Sequence, residues 1–235
     1  MSKLKGWSGA FVLISIFAYA ASAQVNRPSR AVSDNDISRG LKEALGKGVK
    51  TAVNSLGRQN GYLGNPRVRI PLPNSIQKLE KGLRFAGQGR AVDEFVASMN
   101  NAAEKAVPVA IDVFVDAIMQ MTFDDARDIL FSGQDDSATR FFRRTSEETL
   151  REKFRPIVED FTERAGVTQK YKTMVGRAGF AAAFLGRDAT DLDGYVTQKA
   201  LDGLFLMIAE EERNIRKNPL GRTTDLLRKV FGVLR

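Results

Sequence analysis

The chain has 235 residues, 36 of them Lys or Arg and 28 Asp or Glu, for a net charge of +8, and it contains neither cysteine nor histidine. That composition excludes disulfides, thiol nucleophiles, histidine bases, haem-histidine ligation and the usual zinc ligands. Stability must then come from a hydrophobic core, which a chain of this length can bury.

In chain order, the first signal is a leader. Lys3 and Lys5 precede an uncharged apolar run from Ala10 to Ala20, and Ala21-Ser22-Ala23 supplies a small-x-small cleavage pattern. This predicts a secretory signal peptide over residues 1–23, cut after Ala23. The run is far short of the roughly 20 residues a membrane-spanning helix needs. No cysteine follows for lipid attachment, and no later stretch is long and apolar enough to span. The expectation is a periplasmic protein with no transmembrane segment in its mature chain, whose polar residues 24–33 form a loose N-terminus. Without the leader's two lysines the net charge is +6. In an exported chain that balance points to an anionic envelope ligand or lipid rather than nucleic acid, although interleaved charges also describe an ordinary solvated surface.

Ser33 or Asp34 can cap a helix whose stripe is Ile37, Leu41, Leu45, Val49, Val53 and Leu56. Gly40, Gly46 and Gly48 weaken it, so it needs tertiary packing. Asn60-Gly61 and Gly64-Asn65-Pro66 are turn signals, after which Val68, Ile70 and Leu72 alternate with Arg67, Arg69 and Pro71. This predicts a short extended segment near residues 66–73, an edge strand or hairpin arm, since Pro71 and Pro73 forbid a central strand. Helices follow: one with Ile76, Leu79 and Leu83 ending at Gly87-Gln88-Gly89, and one with Val92, Phe95, Val96, Met99, Ala103 and Ala106. Pro108 marks a kink or fresh start before Ile111 to Met119. Thr122 caps a short helix through Leu130, with Asp124 and Asp125 in its first turn. Past the Ser132-Gly133-Gln134 loop, Asp135 or Asp136 caps a segment holding Phe141 and Phe142. Thr145 and Glu148 match a capping box for a further helix to Ala165, with Pro156 inside it. Tyr171 to Ala178 starts another helix, and Thr223 or Thr224 caps a basic amphipathic one ending at Leu234.

The clearest helix runs from Tyr195 to Asn218. Val196, Ala200, Leu204 and Ile208 recur every four residues, and Leu204 to Ala209 is apolar all round, as befits a helix enclosed by others. Asp191 and Asp193 precede it, while Arg213, Arg216 and Lys217 suit its C-terminal dipole. The predicted fold is all-α: a single multi-helix domain over residues 34–235, bundled around this central C-terminal core helix.

The segments Leu63 to Pro73, Phe141 to Thr145, Tyr195 to Glu212 and Gly221 to Phe231 resemble an exported bacterial family known as domain of unknown function 4197. The similarity extends in order from about Asp36 to Gly232, nearly the whole mature chain. The resemblance implies a mainly helical envelope protein, chiefly from Gram-negative bacteria. It implies no activity, cofactor or catalytic residue.

Several constellations invite chemistry. Asp188, Asp191, Asp193 and Gly194 fail the calcium-loop pattern, because Ala189 and Ala200 would stand at its first and last ligand positions. Asp124, Asp125, Asp128, Asp135 and Asp136 suit helix starts better than a carboxylate-only metal site. Glu210, Glu211 and Glu212 point in different directions from a helix, with Glu212 to Arg216 an ordinary i,i+4 pair; a solvated face is expected. Arg67, Arg69, Arg140, Arg143 and Arg144 are the best candidates for ligand binding, the planar guanidinium being suited to carboxylate and phosphate. Structural pairing with acids of neighbouring helices is the competing account. The expected function is therefore non-enzymatic binding of an envelope component, whether lipid, anionic ligand or partner protein. The alternatives are a metal-free hydrolase or lyase using carboxylates and arginine, and a structural or assembly protein. The pattern assigns no cofactor and fixes no oligomeric state.

Overall fold

A helix with apolar residues on all sides has to be surrounded, and this requirement sets the architecture. The computed structural model describes residues 34–85, 87–164 and 191–217. They form α1 (Asp34–Gly57), α2 (Asn74–Phe85), α3 (Gly89–Ala106), a 3-10 turn (Val107–Val109), α4 (Ala110–Gln120), α5 (Phe123–Phe131), α6 (Ser137–Arg164) and α7 (Leu192–Lys217). All belong to one compact unit, Val32–Arg235. The leader, residues 24–33, the Tyr171 to Ala178 helix, Asp188 and the terminal segment from Thr223 lie outside the described residues.

α7 packs chiefly on α6 and α1, with α3 also against it. Its Val196, Ala200, Leu201, Leu204, Phe205 and Ile208 are buried, and α1 meets them with Leu41, Leu45, Val49, Val53 and Leu56. Each such apolar side chain contributes roughly 1.5–3 kcal/mol relative to exposure, which offsets the glycines of α1. The α6–α7 pair is antiparallel: Thr139 meets Glu212, Arg143 meets Asp202, and Arg155 meets Asp191. Phe114 of α4 fills the space between α6 and α7, with ring centroids 5.0 Å from Phe142 and 6.0 Å from Phe205.

Two expectations need correction. Residues 66–73 are not a strand, and no strand occurs among the described residues. Asn65 instead starts a helical turn, its carbonyl accepting from Val68 and Arg69 N–H. The chain then runs extended with Val68, Ile70 and Leu72 buried and Arg67 and Arg69 exposed, so the alternation is real. Its partner is a side chain. Asn100 of α3 accepts from Ile70 N–H at 2.8 Å and donates to Ile70 O at 2.9 Å, taking the place of a neighbouring strand. The second correction concerns the capping box at Thr145 and Glu148. α6 runs unbroken from Ser137 to Arg164, and the Thr145 hydroxyl donates to Phe141 O at 2.9 Å, one turn back in the same helix. The box pattern is overridden because Phe141, Phe142 and Leu150 all bury on the continuous helix.

Pro108 sits in the 3-10 turn that separates α3 from α4, a fresh start rather than a kink within one helix. Thr122 caps α5 as expected, with a complete capping box to Asp125. No single helix among the described residues is long and apolar enough to cross a membrane.

Candidate functional site

α6 is long enough to present different residues to two neighbours, and a cleft opens along each contact. Toward α4 it offers the row Phe141, Thr145, Thr149 and Lys153, spaced by four and therefore stacked on one face. α4 answers with Val113, Asp116, Ala117 and Gln120, also one helical face. Between them, with Asp125 of α5, Arg144 and Ser146, lies a cleft of about 390 Å³. Its walls are apolar at Val113, Ala117 and Phe141, and its charged lining holds two cations, Arg144 and Lys153, and two acids, Asp116 and Asp125. Neither cation has a carboxylate within ion-pair distance among the described residues; the Arg144 guanidinium instead lies 5.7 Å from the Phe141 ring centroid. The Thr122 hydroxyl, then the Thr122 backbone, hold the Asp125 carboxyl below its ordinary range, and the Arg144 charge adds to this.

Toward α7, α6 presents Arg151 and Arg155, again four apart. The first two turns of α7 supply Asp191, Gly194, Tyr195, Thr197, Gln198 and Lys199, enclosing a cleft of about 360 Å³. Arg151 donates to Gln198, and Arg155 bridges Glu159 at 2.8 Å and Asp191 at 3.3 Å. Lys199 is 3.8 Å from Asp202. Asp191 caps α7, its Oδ1 accepting from Gly194 N–H at 2.9 Å. Asp193 accepts from the Thr162 hydroxyl at 2.6 Å.

The five arginines singled out in the sequence are engaged separately. Arg67 pairs with Glu210 of α7, Arg140 with Asp136 at 3.2 Å, and Arg143 with Glu147 at 3.4 Å and Asp202 at 3.9 Å. Arg143 also lies 4.5 Å from the Phe205 ring centroid. Arg69 contributes to the field that keeps the Asp93 carboxyl low, after the direct hydrogen bond from Arg84. Of the five, Arg144 is the one that lines the α4–α6 cleft.

Sequence reasoning missed the buried carboxylates. Glu212 is not on a solvated face: it is 5% exposed, and its carboxylate accepts from Ala138 N–H, Thr139 N–H and the Thr139 hydroxyl, each at 2.9 Å. It thus caps α6 from α7 while keeping the expected pair with Arg216 at 2.9 Å. Burial also raises the pKa of its neighbour Glu211. Glu104 of α3 likewise accepts from Asn60, Tyr62 and Leu63 N–H and holds the turn after α1. Lys153, Arg151, Arg155, Lys199 and Thr197 were also passed over. The spacing of Lys153 from Thr149, and of Arg155 from Arg151, was the available signal.

Residues 31–232 match the profile of a family described as protein of unknown function (DUF4197). No curated protein and no solved structure matches the chain.

Proposed function

Since the chain belongs to the DUF4197 family of proteins of unknown function, we propose that it is an exported, non-enzymatic binding protein of the bacterial envelope, whose ligand is a small amphipathic anion held in the α4–α6 cleft. The observation that carries this reading is the pairing of an apolar wall, Val113, Ala117 and Phe141, with two cations, Arg144 and Lys153, that meet no carboxylate at ion-pair distance among the described residues. Ligand sites commonly combine apolar walls with a few converging polar groups, and an arginine over an aromatic ring is already positioned to receive an anion. Thr145, Ser146 and Thr149 add hydroxyls that can complete hydrogen bonding to the head group. Export and a periplasmic location rest on the leader pattern of Lys3, Lys5, the Ala10 to Ala20 run and Ala21-Ser22-Ala23.

A second reading, an assembly role, draws on exposed apolar residues of α4: Val115 is 43% and Met119 72% exposed, one turn apart.

Native mass spectrometry of the protein purified from its own envelope fraction tests the binding reading. A retained small anion that the Arg144→Ala/Lys153→Ala variant loses supports it, and the mass of the chain itself reports cleavage after Ala23. A wild-type spectrum with nothing bound overturns the tight-ligand reading, and a defined oligomer in that spectrum moves the case to assembly.

A further inference from the structure

We propose that the cleft between α6 and the first two turns of α7 is a second site, separate from the α4–α6 cleft, and that it takes a phosphate-like oxyanion. Three cations line it, Arg151, Arg155 and Lys199, together with Asp191, and acids just outside the lining pair with them: Glu147 and Glu148 with Arg151, Glu159 with Arg155 and Asp202 with Lys199. Arg151 and Arg155 stand one turn apart on α6, so two planar guanidinium forks face the same opening, the arrangement that suits a tetrahedral oxyanion. The cleft also adjoins the N-terminus of α7, where the helix dipole favours negative charge.

The independent sign of a ligand is Thr197. It is 1% exposed, it lines this cleft, and its hydroxyl is a buried side-chain oxygen without a hydrogen-bond partner. Elsewhere among the described residues the buried polar side chains are served: Asn100, Glu104, Thr139, Thr162 and Glu212 all make hydrogen bonds. A buried hydroxyl left alone is costly and rare in a folded protein, which marks Thr197 as a group awaiting a partner. An oxyanion is the partner that can reach Thr197 and also exchange with the carboxylates that now pair with Arg151 and Arg155. Gln198, adjacent to Thr197, is tied to Arg151, so entry of the anion must loosen that contact and exchange it for arginine–oxyanion bonds.

The test is thermal unfolding of the purified protein titrated with inorganic phosphate at constant ionic strength, alongside sedimentation with phosphatidylglycerol vesicles and phosphatidylcholine controls. Ligand that binds only the folded state raises the melting temperature saturably. Thr197→Val has a crossed signature. Removing an unsatisfied hydroxyl raises the melting temperature without phosphate, while phosphate affinity falls by about tenfold, the worth of one hydrogen bond to a charged group. Thr197→Ser keeps both properties of the wild type. Arg151→Gln/Arg155→Gln abolishes the phosphate-linked shift, and Arg144→Ala/Lys153→Ala leaves it intact, which separates this site from the amphiphile cleft. Binding of free phosphate without vesicle binding identifies a soluble anion. Vesicle binding that Thr197→Val weakens, without a phosphate shift, identifies a lipid head group. A wild type that responds to neither probe, or a Thr197→Val protein that binds as well as the wild type, overturns the proposal.

Discussion

The Tyr62 hydroxyl donates to the Ala200 carbonyl at 2.7 Å, joining the turn after α1 to the core helix across 138 residues of sequence. Both residues are fully buried. Burial, reinforced by the nearby Glu104 charge, pushes the Tyr62 pKa above its ordinary value, which favours the neutral phenol that donates this bond. The ring lies where α7 carries Gly203: a Cβ there would stand 2.8 Å from Tyr62 Cε1 and 3.1 Å from Val68 Cβ. The irregular stretch between α1 and α2 is therefore seated against a gap in the core helix that only glycine leaves.

Gly203→Ala should accordingly destabilise, even though alanine is the better helix former by about 1 kcal/mol. Neither obstructing group is a flexible side-chain end, so overpacking of about 1–3 kcal/mol outweighs the propensity gain. Urea unfolding of the variant checks this. A midpoint at or above that of the wild type would show that the turn can lift away at little cost.

Asn100 supplies a donor and an acceptor to Ile70, and its amide also donates to Val96 O at 2.8 Å. Asn100→Asp is nearly isosteric but turns a carboxylate oxygen toward two carbonyls. The expected loss is about 3 kcal/mol or more at neutral pH, because a buried charge is left facing acceptors. Asn100→Ala should lose about 1–3 kcal/mol, the cost of unsatisfied backbone groups. Hydrogen exchange separates the two: Ile70 N–H should lose protection in Asn100→Ala, which removes its acceptor, and keep its hydrogen-bond partner in Asn100→Asp, which retains that oxygen.

How far the sequence revealed this molecule follows from which interactions are periodic. The core helix, α1 and α3 could be read because Leu41 to Leu56, Val92 to Ala106 and Val196 to Ile208 repeat at helical spacing. Thr122 could be read because capping is local, completed three residues away. Asn100 clasping Ile70 and Glu212 capping α6 were hidden, since each joins residues 30 or more apart. The same limit applied to the clefts. Arg144 was picked out by its charge, yet what makes it a candidate is Phe141 beside it and α4 opposite, and α4 reaches it only through tertiary packing.

Glu212 holds three elements at once. Its carboxylate receives the first N–H groups of α6, and Arg216, which it orients, donates to Ile129 O of α5 at 2.8 Å. Glu212→Ala leaves the first N–H groups of α6 without their acceptor and removes the carboxylate from the Arg216 pair, so a loss of about 3–5 kcal/mol is expected. Glu211→Ala, one residue away on the less buried side, should change stability by no more than about 0.5–1 kcal/mol. Comparing the two urea midpoints is the check. Equal effects would mean that Glu212 acts as an ordinary surface acid.

The Thr122–Asp125 box makes a pH-dependent prediction. Thr122 N–H donates to Asp125 Oδ2 at 3.0 Å, and the Thr122 hydroxyl, 2.7 Å from the same oxygen, is the main reason the carboxyl titrates below its ordinary value of 3.8. A carboxyl whose pKa is depressed by folding contributes stability above its unfolded pKa and loses it as pH falls through the folded one. Asp125→Asn removes the titrating group, so wild type should exceed the variant by about 1 kcal/mol at neutral pH, the usual worth of a helix cap. That advantage should shrink below about pH 4 and vanish once the carboxyl is protonated. Paired urea titrations across this range read it directly. An advantage that stays constant down to full protonation would mean the box stabilises α5 through shape alone, and its charge does nothing.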